Sequence, residues 1–101
     1  MEFAYVLRPA FDASFMARAS ERERAVFEAH GEWLEAGFRE GWVRFAGRCH
    51  DGPFGLVVID AADERAAREL VERDPSVRDG VQQAELHPFR TFVARERGPQ
   101  E

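Results

Sequence analysis

Lysine is missing from this 101-residue chain; all 14 basic residues are arginine. Schiff-base chemistry on a lysine amine is therefore excluded. Cysteine occurs once, at Cys49, so no internal disulfide can form and a reducing cytoplasm is the expected compartment. No stretch approaches the roughly 20 apolar residues of a membrane span. Met1-Glu2 leads straight into a strand-like run, not into a basic segment and a long apolar core, so neither a signal peptide nor a membrane partner is expected. The net charge is -5 and no basic stripe interrupts it, which argues against a nucleic-acid partner. There is no G-x-S-x-G elbow, no glycine-rich phosphate loop and no dinucleotide fingerprint. The three histidines sit on separate elements without H-x-x-H or C-x-x-C spacing. No metal and no cofactor are expected.

What the chain has is core material. Hydrophobic residues make up 45% and aromatics 12%, with nine phenylalanines. That predicts one globular domain, 1–97, followed by a frayed tail at 98–101. Phe3–Leu7 ("FAYVL") reads as a strand ended by Pro9, and a short helical turn is expected near Phe15-Met16. Ser20-Glu21-Arg22-Glu23 fits a capping box opening a helix that runs to about Glu40 and stops at Gly41. Trp42–Ala46 and Phe54–Asp60 read as a hairpin around the turn Gly47–Pro53. Asp63 caps a second helix to about Arg73, and Asp74-Pro75 breaks it with one further turn to follow. Glu85–Ala94 is the last extended segment, with Pro88 marking an edge or bend. The order βαββαβ predicts a ferredoxin-like α+β fold: an antiparallel sheet with helices on one face.

Two features stand out against that frame. On the first long helix, Val26, Phe27, His30, Trp33, Leu34, Gly37 and Phe38 share one stripe, so a titratable imidazole lies in the middle of a face that should be buried. In the strands, Phe3, Tyr5 and Leu7 oppose Ala4 and Val6, while Phe54, Leu56 and Val58 oppose Gly55, Val57 and Ile59. Both sheet faces are apolar, and two helices cover only one. A second copy of the same sheet is the simplest cover, which predicts a homodimer packed sheet to sheet, a dimeric α+β barrel.

"YVLRP" (5–9), the histidine of "FEAHGEWL", "FAG" (45–47), "DGPFGLVVID" (51–60), "RDP" (73–75) followed by Gly80, and "AELHPFR" (84–90) together resemble the YCII-related (YciI-like) family. The resemblance runs from Phe3 to about Arg95. It implies the same ferredoxin-like fold and dimeric barrel, and a pocket holding a helix histidine and the aspartate of an Asp-Pro step, here His30 and Asp74. Such a pair has led to members being regarded as enzymes, and a relative acts on a chlorinated aromatic ring. The chain departs from many relatives at Gly47-Arg48, where they carry Gly-Pro, which alters the rim of the expected pocket.

Each candidate has a plainer alternative. His30 is either a general base, apt because a neutral imidazole accepts protons near cytoplasmic pH, or a core histidine bonded to backbone. Asp74 either orients His30, as the third member of a catalytic triad does, or simply caps the turn after Pro75; one carboxylate has acceptor sites for both. Arg8 and Arg90 are candidates for gripping an acidic substrate group or ordinary surface charges. Trp33, Phe38 and Phe45 are candidate walls for a flat ligand or core aromatics. His87 is expected at the surface or dimer interface, His50 in solvent and Cys49 packed. The expectation is a small organic, aromatic or cyclic substrate undergoing elimination, isomerisation or lactone chemistry at His30 and Asp74. The alternative is a non-catalytic ligand-binding or accessory dimerisation module.

Overall fold

A computed structural model describes residues 1–95; the expected tail at 98–101 and the end of the expected domain at 96–97 lie outside the described residues. Eight elements follow one another: β1 (Glu2–Arg8), α1 (Ala13–Arg18), α2 (Glu21–Glu40), β2 (Val43–Arg48), β3 (Gly55–Asp60), α3 (Glu64–Arg73), α4 (Pro75–Arg78) and β4 (Gln83–Phe89). The strands form one antiparallel sheet in the order β2-β3-β1-β4, the ferredoxin-like arrangement. No described helix is long and apolar enough to cross a membrane.

Local chemistry sets the element ends. Ser20 Oγ accepts from the Glu23 amide at 3.1 Å, and the Glu23 carboxylate accepts from the Ser20 amide at 2.9 Å, so α2 begins with both halves of its capping box in place. Gly41 closes α2 at φ 97°, in the left-handed region that glycine adopts without strain. Strand ends follow their partners. Glu2 pairs with Phe89 and Leu7 with Gly55, so β4 stops at Phe89, short of the expected Ala94, because β1 has no residue left to offer. β3 starts at Gly55, not Phe54, opposite Arg48, the last residue of β2.

The core lies between sheet and helices. Phe3, Tyr5, Leu7, Val43, Val57 and Ile59 point from the sheet toward Ala67 and Val71 of α3, with Trp33 and Leu34 of α2 packed against them. One expected member of the helix stripe is corrected: Phe38 is 64% exposed. The last turn of α2 lies so close to β2 that Gly37 faces the sheet, where an added Cβ would sit 2.5 Å from the Trp42 ring and 2.7 Å from Val43. The bulky neighbour is turned outward.

The other sheet face carries Ala4, Val6, Leu56, Val58 and Phe45 in register. Val58 and Ala4 are already buried, Val6 and Leu56 half-buried, and Phe45 is 48% exposed. Charged residues rim this apolar centre: Arg8, Glu85 and His87 on one side, with Arg44 bridging Glu2 and Asp60 on the other.

Glu2 also anchors the segment after β4, its carboxylate accepting from the Thr91 amide at 3.0 Å and the Thr91 hydroxyl at 2.9 Å. These bonds, aided by Arg44, hold Glu2 below its usual 4.5. A depressed carboxylate stabilises the fold above its unfolded value and loses that contribution as pH falls through the folded one. Amide exchange at Thr91, corrected for intrinsic rate, should therefore lose protection only as pH falls below the usual glutamate range, while core amides of β1 keep theirs. Unchanged protection at Thr91 would show that Glu2 is not its anchor.

Candidate active site

Four elements deliver side chains to one buried point. Asp74 ends α3 and begins α4. Pro75 stands at the first helical position, where its missing N–H is no loss, and Asp74 caps the Ser76 amide at 2.9 Å. The Ser76 hydroxyl donates to the same oxygen, Oδ1, at 2.8 Å. From β1, the Tyr5 hydroxyl donates to Oδ2 at 2.9 Å. From the middle of α2, His30 Nδ1 lies 2.7 Å from Oδ1. Asp74, Tyr5 and Ser76 are fully buried, and His30 is 8% exposed.

The proton positions follow from the partners. Tyr5 and both Ser76 groups donate, leaving the carboxylate oxygens as acceptors, so His30 presents an N–H at Nδ1 to Asp74. Burial first, and the Asp74 charge second, push the Tyr5 phenol well above its ordinary value, which keeps it a donor. Among the described residues nothing bonds Nε2, and it is not among the sealed, unpartnered atoms. It is the reachable edge of the ring. Phe11 packs edge-on against the imidazole, with centroids 5.5 Å apart, and itself contacts Phe15 and Phe27. A shallow groove of about 400 Å³ between α2 and the end of α4 is lined by Arg22, Ala25, Val26, Ala29 and Asp79, and not by His30 itself.

The cap and the His30 contact thus coexist on Asp74. The other expected binding residues stand apart from it within one chain. Arg8 is exposed and paired with Glu85 at 3.2 Å. Phe45 lies on the opposite sheet face, across from Val58. Arg90 lies past β4, with its guanidinium 5.8 Å from the Phe92 ring. Trp33 packs edge-on against Trp42 at 4.8 Å, in the core. His87 is exposed and 2.8 Å from Glu85, which His87 first and Arg8 second hold below the usual carboxylate range. Among the described residues, no three His, Cys, Asp or Glu side chains lie close enough to hold a metal ion. Tyr5, Ser76 and Phe11 were not expected at the site. A signal for Tyr5 existed: a tyrosine on the core side of a central strand needs a partner for its hydroxyl.

A ferredoxin-like sheet with a buried histidine–aspartate pair beneath its helices places the chain in the class of α+β folds from which dimeric barrels are built. The chain belongs to the YCII-related domain family, whose model matches residues 1–90. Among solved structures it is similar in fold to 5-chloro-2-hydroxyhydroquinone dehydrochlorinase from Burkholderia phenoliruptrix, determined in complex with 2,5-dihydroxybenzoquinone. The match has a TM-score of 0.64 at 15% sequence identity and covers 89% of this chain and 94% of that one. A comparison with proteins of curated function finds no match.

Proposed function

We propose that this protein is a small-molecule enzyme that uses His30 as general base and Asp74 as its orienting partner on a hydroxylated ring compound. The observation that carries this is the 2.7 Å contact between His30 Nδ1 and Asp74 Oδ1, buried, with Nε2 left accessible. A core histidine serving packing alone has no need of a carboxylate held by three further donors. Nε2 takes a proton from a ring hydroxyl as the carbon bearing chlorine takes one up; a second hydroxyl then loses its proton and chloride leaves with its bonding pair, so that HCl is lost and the diol becomes a quinone without an oxidant. The imidazolium so formed faces the Asp74 carboxylate, which stabilises it as the aspartate of a catalytic triad does. The activity in the structural neighbour's name, dehydrochlorination of a chlorinated hydroquinone, is chemistry of this kind. The test is chloride release from 5-chloro-2-hydroxyhydroquinone and related chlorinated ring diols, above the rate without protein. If neither turnover nor perturbation of the His30 ring signals appears across that panel, the reading fails.

The functional unit proposed is a homodimer in a reducing cytoplasm, formed through the open sheet face. An apolar centre with a charged rim is the usual anatomy of such an interface. The wild type should sediment at twice its 11.5 kDa mass. Leu56→Glu, on the open face and half-buried, should sediment at the single-chain mass with its circular dichroism unchanged. A wild type that sediments as a single chain at micromolar concentration would sink the dimer. In the proposed dimer, Arg8 and Phe45 belong to the interface and not to the His30 site.

A further inference from the structure

Asp74 shares out its two oxygens unequally. Oδ1 accepts from His30 Nδ1 at 2.7 Å, the Ser76 hydroxyl at 2.8 Å and the Ser76 amide at 2.9 Å. Among the described residues Oδ2 has one donor, the Tyr5 hydroxyl at 2.9 Å. The Ser76 groups belong to the turn that Asp74 itself begins, so the cap accounts for them. Tyr5 comes from β1, 69 residues away, and the cap gives no reason for it. Phe3 and Leu7, its neighbours on the same strand face, are buried and apolar. Phenylalanine would fill position 5 without carrying a hydroxyl into the core. A buried hydroxyl costs free energy unless it is bonded, so its one bond, to Asp74, is where its effect must be sought.

That effect reaches His30. The charge of a carboxylate is spread over both oxygens, so donors bonded to either one compete for it. A bond made to Oδ2 draws charge from Oδ1 and weakens the pull on the N–H at His30 Nδ1. Asp74 and Tyr5 are both 0% exposed, so no bulk water evens out the difference. Burial first, and the Asp74 charge second, push the phenol well above its ordinary value, and Tyr5 stays a donor.

We propose that Tyr5 is a positioning residue that, by holding Oδ2, sets the strength of the bond between Asp74 and His30. The proposal rests on the function proposed above and adds a control on its base. A base that takes a proton and gives it up in each turnover works best when it holds that proton neither weakly nor hard. An Asp74 relieved of Tyr5 would grip the imidazolium harder and slow the release. Tyr5 touches no substrate; it acts through Asp74.

The test reads that bond directly, without substrate. The proton on His30 Nδ1 is followed by NMR in protein carrying nitrogen-labelled histidine. His50 and His87 are exposed, so their ring protons exchange with water, and the remaining signal is assigned by its absence in His30→Asn. Two changes bracket the donor. Tyr5→Phe removes it. Growth on 3-fluorotyrosine strengthens it, because the ring fluorine draws electrons from the hydroxyl. Tyr5 is the chain's one tyrosine, so no other position is altered. The signal should move downfield in Tyr5→Phe, as the bond to Asp74 shortens, and upfield in the fluorinated protein, as it lengthens. A signal that keeps its wild-type position in both overturns the proposal, whatever Tyr5→Phe does to the denaturation midpoint. Tyr5 is then a core tyrosine that only satisfies its own hydroxyl. A shift of the same sign in both also overturns it, since packing and not donor strength is then being read. Where Tyr5→Phe does not fold, the fluorinated protein decides: an upfield shift supports the proposal, and an unmoved or downfield signal overturns it. Because no ligand is needed, the result stands apart from the chloride assay. A wild type without turnover removes the function above and leaves the coupling of Tyr5 to His30 as measured.

Discussion

Asp74→Ala should lower the unfolding free energy by about 3–5 kcal/mol, the range for removing one partner from a buried charged network. The reason is what stays behind. The Tyr5 and Ser76 hydroxyls and the Ser76 amide all donate to Asp74, in a region with no solvent access. Alanine leaves each without its acceptor, and α4 loses its cap. Against a typical total of ~5–15 kcal/mol, that is a large share. Asp74→Asn should cost far less, on the order of 1–2 kcal/mol. Its amide oxygen can replace Oδ1, which serves His30 and both Ser76 groups. Its amide nitrogen then faces the Tyr5 oxygen, which can accept. Urea denaturation of the three proteins, with equal m-values, checks both numbers. If Asp74→Ala costs no more than Asp74→Asn, the carboxylate is not the hub of this site and His30 is held by something else.

That pair of variants also shows why the site was only half legible in the sequence. Asp74 could be read as a cap from its neighbour Pro75 alone, since capping is local. Its contact with His30 spans 44 residues and its bond to Tyr5 spans 69. No spacing rule reports such contacts; only the stacking of α2 and the α3–α4 junction over β1 creates them. His30 was conspicuous because it broke an apolar stripe. Ser76 and Tyr5 broke nothing: a serine in the first turn after proline and an aromatic in a strand are both ordinary. Fold was more legible than site. The capping box at Ser20, the stop at Gly41, the cap at Asp63 and the two-residue alternation of β1 and β3 are each set by neighbours in sequence, and each element formed where they placed it. The misplaced ends were set by pairing: β4 stops at Phe89 because Glu2 is its last partner. Phe38 was misplaced for a similar reason, since the Trp42 ring lies where a side chain at Gly37 would go. The polar rim of the open face came partly from Arg8 and Glu85, which are 77 residues apart in sequence and joined only by the register of β1 on β4.

His30→Asn should separate catalysis from stability at the same network. Asparagine places an amide nitrogen near the position of Nδ1, so the donor to Asp74 is retained and Tyr5 and Ser76 keep their acceptor. What disappears is Nε2, the atom proposed to take the substrate proton. The ring's edge contact with Phe11 is also lost, so stability should fall by only about 1–2 kcal/mol, as for a modest loss of buried volume. Chloride release from a chlorinated ring diol, in contrast, should fall by roughly 10²–10⁴-fold, the usual worth of a positioned general base. Two readouts keep the result interpretable. Ring nitrogen NMR of the wild type should show His30 protonated on Nδ1 and bare on Nε2. The loss in His30→Asn should appear in kcat more than in KM, because a base acts on the transition state and little on ground-state binding. A variant that releases chloride at the wild-type rate would mean that the imidazole is a structural ligand of Asp74. The reaction would then run through another group, and His30 would lose its role as the base.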